Sequence, residues 1–332
     1  MNQTSYAKMP LPPSLWAATA VPAPDTPAME GDQQADVAIV GGGFTGLSAA
    51  LHLAQGGADV AVLEAAEPGW GASGRNGGQV IPGLKEDPRQ IIARFGQKDG
   101  EAMVRASGAG ADLVFGLIAE HGIECDAQQN GWIQAAHTQG MLGDLRKRHQ
   151  DWAQRDANVA WLEPNELAQR MGDGRYKGGW IDKRGGGVQP LGYARGLARA
   201  AQDLGARVHG STPVLSLNQT TNGWRLATAN GSLTAGKVIL ATNGYTDGLW
   251  PKLEHTVVPV FSVQVATAPL GENIRGKVLG GGEVLSDTHR VLWYFRQDGH
   301  GRLLMGGGGS AYESGAVKVY EGLRQRIHSL LP

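Results

Sequence analysis

The clearest pattern lies near the front of the chain. Asp36-Val37-Ala38-Ile39-Val40 is a short β-branched run that reads as a strand. Three glycines interrupt it, and alanine and leucine then recur at helical spacing over residues 47–54 until Gly56-Gly57. Asp59-Val60-Ala61-Val62-Leu63 is a second buried strand, ending at Glu64. Strand, helix and strand in so few residues form a βαβ unit, which implies a parallel sheet.

The rest of the chain is less regular. Residues 65–90 read as loop, and 97–121 and 138–156 as helices, the second with Leu142, Leu145, His149 and Trp152 on one stripe. Pro190 opens a helix whose Leu191, Ala194, Leu197, Ala198, Ala201 and Leu204 share a face, and Gly205 ends it. Short strands are expected at 206–209, 213–217, 224–228 and 237–241. From 257 the pattern turns mainly β: 257–267, 291–296 and 302–305, the last two joined as a hairpin through Gln297-Asp298-Gly299-His300-Gly301. A final helix is expected at 318–330.

This order predicts an α/β fold, with a doubly wound nucleotide-binding domain and an inserted, mostly antiparallel α+β domain. The predicted boundaries are an extended proline-rich arm at 1–34; a nucleotide domain from 35–90, 188–245 and 311–332; and a substrate domain from 91–187 and 246–310. Residues 15–21 are apolar but follow only Lys8 and are flanked by prolines, so they read as arm rather than export signal.

Composition narrows the function. Lysine and arginine total 30 against 31 acidic residues, which leaves no basic excess for holding nucleic acid. No uninterrupted apolar run approaches the ~18 residues of a membrane span. One cysteine, Cys125, excludes an intrachain disulfide and a cysteine-cage metal site and favours the cytoplasm. The nine histidines show no metal-ligand spacing. Glycine is the outlier: 51 in 332 residues, about twice the usual ~7%.

Those glycines cluster where chemistry is expected. Gly41-x-Gly43-x-x-Gly46 falls between strand and helix, where bare main chain lets a pyrophosphate approach the helix N-terminus. Glu64, at the end of the second strand, is placed to accept hydrogen bonds from a ribose diol. The motif alone leaves NAD and FAD both open. The loop Gly71-Ala72-Ser73-Gly74-Arg75-Asn76-Gly77-Gly78-Gln79 has the small and polar residues to run along a pyrophosphate toward a flavin ring.

At these residues the sequence resembles the D-amino acid oxidase superfamily of flavoproteins, closest to its bacterial subgroup of gamma-glutamylputrescine oxidase and L-pipecolate oxidase. DVAIVGGGFTGLSAALHLA, VLEA, GWGASGRNGGQ, DKRGGGVQPLGYARGLA, ATNGYT and YFRQDGHGRLLMGGG carry the resemblance. It implies that Gly41, Gly43 and Gly46 contact the FAD pyrophosphate and Glu64 the adenosine ribose. Ser73, Arg75, Asn76, Gly77, Gly78 and Gln79 would line the pyrophosphate, ribityl and ring region. Val214 would face the adenine, and Thr242 and Asn243 would close over the dinucleotide. Relatives with covalent flavin often carry histidine at the position of Asn76, or a late cysteine, so FAD is expected to be non-covalent. Family members continue beyond the point matching Pro332, so a C-terminal segment is expected to be missing.

The resemblance implies oxidation of the C–N bond of an amine or amino acid. Hydride passes to flavin N5, the imine product hydrolyses, and oxygen or a quinone-linked carrier reoxidises the flavin. A carboxylate-bearing substrate would want a cation. Arg296 is the first candidate and Arg184 a weaker one, with Tyr294 expected on the same strand face as Arg296. Two alternatives stand beside this reading: a catalytically silent chain or partner subunit, and an NAD-dependent dehydrogenase.

Overall fold

The computed structural model describes residues 9–258, 260–310 and 315–331. The chain divides into two compact units. The first comprises Met1–Asn76, His121–Cys125 and Gln189–Pro259; the second comprises Gly77–Glu120, Asp126–Val188 and Val260–Pro332.

In the first unit a six-stranded sheet runs in the order Arg207–His209, Val60–Leu63, Gly31–Val40, Gly231–Leu240, Gly223–Thr228, Ser216–Thr220. Its first four strands are parallel, with Ile39 opposite both Val62 and Ile239. The last two pairings are antiparallel. Strand Val60–Leu63 is buried at every position, which explains its unbroken apolar run. Helix Phe44–Gln55 buries Leu47, Ala50, Leu51 and Ala54, the residues whose spacing predicts it. Helix Pro190–Asp203 has proline in its first turn, and the Gln189 side chain caps it by accepting the Gly192 N–H at 2.5 Å. That helix is buried along nearly its whole length. Gly196 has no side chain to spare: a Cβ there would lie 2.1 Å from Ile123 Cγ2.

The second unit is built on a seven-stranded sheet, ordered Phe261–Pro269, Arg302–Ser310, Trp293–Gln297, Val284–Asp287, Trp132–Ala135, Gly179–Asp182, Val159–Leu162. It is antiparallel except where Val284–Asp287 lies parallel to Trp132–Ala135. Ile133, Leu285, Phe295, Leu303 and Met305 form its core with Leu323 and Ile327 of helix Ala316–Leu330.

Several sequence expectations change. The arm is not wholly extended: Leu15–Thr19 is a short helix, Trp16 is buried, and Gln189 Nε2 donates to its carbonyl at 2.9 Å. Residues 31–34 already belong to the first strand. Residues 1–8 of the arm lie outside the described residues, as do 311–314 and 332 of the expected last nucleotide-domain segment. Residues 77–90 and helix Ala316–Leu330, which the sequence reading groups with the nucleotide domain, lie in the second unit; 246–258 lie in the first. The expected absence of a membrane-length apolar run also needs qualification. Pro88–Glu120 is long and apolar enough to cross a membrane by length and composition, though Gly96 breaks the helical backbone within it at φ 81°.

Candidate functional site

The turn after the first strand is shaped by contacts that exclude side chains. Gly41 has φ 109°, and a Cβ there would lie 2.7 Å from the Ala241 carbonyl oxygen. At Gly46, in the first turn of helix Phe44–Gln55, a Cβ would lie 2.0 Å from the Gly41 carbonyl oxygen. At Gly43 it would meet Ser73 Oγ at 2.8 Å. The helix therefore sits hard against the turn, and its first-turn N–H groups have no intrahelical acceptor. Ser73 Oγ accepts one of them, from Phe44 at 3.0 Å.

Beside this turn the first unit holds a crevice of about 310 Å³, within the range of small-ligand clefts. Gly41, Gly43, Glu64, Ser73, Val214, Thr242 and Asn243, all singled out from the sequence, line it. Gly46 lies behind the turn. Apolar walls come from Leu63, Pro213, Val214 and Leu249. Trp70 and Tyr245 line it as well, and sequence reasoning missed both. Their rings meet edge to face with centroids 5.8 Å apart. Arg75 joins them: Nη2 donates to the Tyr245 hydroxyl at 2.8 Å, and the guanidinium lies 4.6 Å from the Trp70 ring centroid. Asn76 Nδ2 donates to the carbonyls of Ser73 and Ala72, closing the 3₁₀ turn Ala72–Gly74.

Glu64 is half-buried at the crevice wall. Oε2 accepts from the Gly42 N–H at 2.6 Å and Oε1 from the Ala66 N–H at 2.9 Å. Burial raises its pKa above the ordinary 4.5, opposed by those N–H groups. The raised value means that ionising Glu64 costs the folded chain more than the unfolded one. The protonated form's stabilisation is full below 4.5 and is lost as pH rises through the raised pKa. A ribose diol needs the ionised acceptor. Dinucleotide affinity is therefore expected to fall as pH drops through the raised pKa, and Glu64→Gln to bind more weakly without that pH dependence. Fluorescence titrations between about pH 4 and 7 read both.

Gly77, Gly78 and Gln79 belong to the second unit. Gln79 is tied into its sheet: Nε2 donates to the Leu285 carbonyl at 3.0 Å and Oε1 accepts from Ser286 Oγ at 3.0 Å. Tyr294 and Arg296 share a strand face, as alternation predicts. The Tyr294 ring covers Gly77, where a Cβ would be 2.5 Å away, and the Arg296 guanidinium covers Gly78 at 2.6 Å. Arg296 is buried, and donates from Nε to the Gly77 carbonyl at 3.0 Å and from Nη2 to the Val188 carbonyl at 2.6 Å. Burial pulls its pKa down to about 10, against the pull of Asp126 and Asp298. Clamping a substrate with the same guanidinium would disrupt these bonds. Arg184 is held in the same way by buried Asp182, with Nη2 2.6 Å from Oδ2.

Comparison with known proteins agrees with this geometry. The family described as DAO, FAD dependent oxidoreductase, matches residues 36–332. The chain belongs to this family. It is 33% identical to a probable oxidoreductase OrdL of Haemophilus influenzae over 84% of this chain and 66% of that protein. It is 34% identical to gamma-glutamylputrescine oxidoreductase of Escherichia coli over 82% of this chain and 64% of that protein. The chain thus spans about two thirds of the length of these curated relatives. Among solved structures, glycine oxidase from Geobacillus kaustophilus superposes with a TM-score of 0.70 at 22% identity, over 90% of this chain and 79% of that one. That likeness establishes the shared fold. FAD is the family's cofactor, and the crevice suits its dinucleotide portion: bare main chain at a helix N-terminus, a carboxylate at the second strand's end and apolar walls.

Proposed function

We propose that this chain binds FAD non-covalently and oxidises the C–N bond of a small amine or amino acid, giving an imine that hydrolyses. The observation that carries the reading is the crevice in which Gly41, Gly43 and Glu64 converge with Ser73, Val214, Thr242 and Asn243. Gly41–Gly43 would present main chain to the pyrophosphate, and Glu64 would accept from the ribose. Arg75, held by Trp70 and Tyr245, would bring positive charge near the phosphates, and Asn76 would shape the loop beside them. Gly77, Gly78 and Gln79 would keep the cofactor-lining role that the resemblance implies; within the second unit the Tyr294 ring covers Gly77 and Arg296 holds its backbone in place.

A bound flavin supplies the electron sink for hydride leaving the carbon beside nitrogen. The protein's own contribution is to orient that carbon and to favour the neutral amine, which an apolar setting does by lowering an ammonium pKa. A gamma-glutamylputrescine-like or pipecolate-like substrate, and oxygen or a quinone-linked carrier as acceptor, complete the reading. A cytoplasmic setting suits a chain whose single cysteine, Cys125, is buried.

The test is to add FAD to the purified chain, desalt it, and follow anaerobic bleaching with a panel of amines. Retained flavin and amine-dependent bleaching are expected. Neither would point to a silent chain or partner subunit, and NADH binding without flavin to the dehydrogenase alternative.

A further inference from the structure

One lining residue of the dinucleotide crevice comes from the N-terminal arm. Met9 is half-buried against it, and the next residue is fastened to the crevice wall: Trp70 Nε1 donates to the Pro10 carbonyl at 3.0 Å. Further along, the arm is tied down beside helix Pro190–Asp203. Gln189 Nε2 donates to the Trp16 carbonyl at 2.9 Å, Arg195 Nη1 to that of Val21 at 2.6 Å, Arg199 Nη2 to that of Pro22 and Gln202 Nε2 to that of Asp25 at 2.8 Å. Met29 is buried, and its N–H donates to Thr212 Oγ1 at 3.0 Å.

The arm is therefore anchored from Trp16 to Met29, and its leading end reaches the crevice on a stiff run. Pro10, Pro12 and Pro13 each fix one backbone angle, which lowers the entropy lost when this run is held in place. The short helix Leu15–Thr19 that follows is capped by Ser14, whose side chain accepts the Ala17 N–H at 3.1 Å. Trp70 joins the arm to the glycine loop. One edge of its indole holds Pro10, while the Arg75 guanidinium lies 4.6 Å from its ring centroid and the Tyr245 ring meets it edge to face. The positions of the arm's end and of Arg75 thus depend on one side chain.

We infer that the arm's leading end is a strap over the dinucleotide crevice: Met9 contacts the bound FAD, and the Trp70–Pro10 hydrogen bond is the latch that opens for the cofactor to enter or leave. This rests on the crevice holding FAD. The chemistry suits a latch. A single neutral hydrogen bond at an exposed edge is weak enough to open unaided. The anchored stretch behind it brings the end back to the same place, which keeps the ordering cost of reclosing low. In this role Trp70 is a positioning residue, acting through Pro10.

Two measurements test the strap without reading enzyme activity. The first labels a Met9→Cys chain with a thiol reagent; Cys125, the chain's own cysteine, is buried and gives the background rate. FAD is expected to suppress labelling at position 9. Adding Trp70→Phe, which keeps a ring beside Arg75 and removes the N–H donor, is expected to quicken labelling of the flavin-free chain about threefold to tenfold, the loss of one neutral hydrogen bond. The second follows flavin entry and exit by fluorescence. In Trp70→Phe both rates are expected to rise about threefold to tenfold, because one latch opens for each; Met9→Ala is expected to quicken exit alone. Labelling indifferent to FAD overturns the inference, as does a Trp70→Phe chain whose rates are unchanged or in which exit alone quickens. A chain that takes up no FAD defeats the reading beneath the inference. The flavin-free labelling comparison then still decides whether Trp70 latches the arm, and unchanged labelling there overturns the strap.

Discussion

Gly46→Ala is expected to abolish dinucleotide binding. The added methyl would sit 2.0 Å from the Gly41 carbonyl oxygen and 3.2 Å from Ile39 Cγ2. Neither neighbour can retreat. Gly41 is held by its N–H bond to the Leu63 carbonyl at 2.9 Å, and Ile39 is in the middle of the parallel sheet with no exposed surface. The helix must therefore lift away from the turn, and the crevice loses both its main-chain floor and the Phe44 N–H bond to Ser73. We expect FAD affinity to fall by at least about a hundredfold, with about 3 kcal/mol lost from stability by overpacking. Flavin fluorescence titration and urea unfolding measure the two. Gly116→Ala is the control: no atom lies within 4 Å of a Cβ there, and gaining an alanine in a helix is worth up to about 1 kcal/mol. Near-normal FAD affinity in Gly46→Ala would remove the basis for placing the pyrophosphate at this turn.

Arg296→Met should produce the other large effect, and it should appear in folding. The side chain is 2% exposed, and its guanidinium joins three carbonyls, of Gly77, Val188 and Gln297. Methionine fills comparable volume but donates nothing, leaving those carbonyls to find other donors. Charged hydrogen bonds of this kind contribute about 1.5–3 kcal/mol each; relief of the cost of burying the guanidinium offsets part of the three, and a net loss of about 3–5 kcal/mol is expected. Arg296→Lys keeps the charge but not the planar fork and should recover less than half of it. Urea denaturation reads the difference. A variant that folds normally and loses only carboxylate-bearing substrates would instead return the clamp role to Arg296.

How much of this was legible beforehand follows from what kind of interaction made each part. The first unit's opening was readable because local signals agree: a β-branched strand, a glycine turn, a helix with one apolar face and a second fully buried strand. The short strands Trp132–Ala135, Val159–Leu162 and Gly179–Asp182 were not read. Each is four residues long, too short for a period to emerge, and each exists because sheet neighbours distant in sequence satisfy its backbone. The same is true of the added roles of Trp70 and Tyr245. Nothing in the spacing of residues 70 and 245 announces that their rings meet, and only the fold brings them to the crevice.

Sequence alone determined the glycine turn and the acidic residue beside it, because both are built from contiguous residues whose backbone conformations the glycines dictate; the cofactor class came from the family resemblance, since the turn by itself suits NAD as well as FAD. Tertiary structure alone decided where the arginines lie. Arg290 and Arg296 stand six positions apart with the same chemistry. Strand pairing buries Arg296 against carbonyls from distant segments and leaves Arg290 exposed ahead of the strand, because burial is set by neighbours remote in sequence.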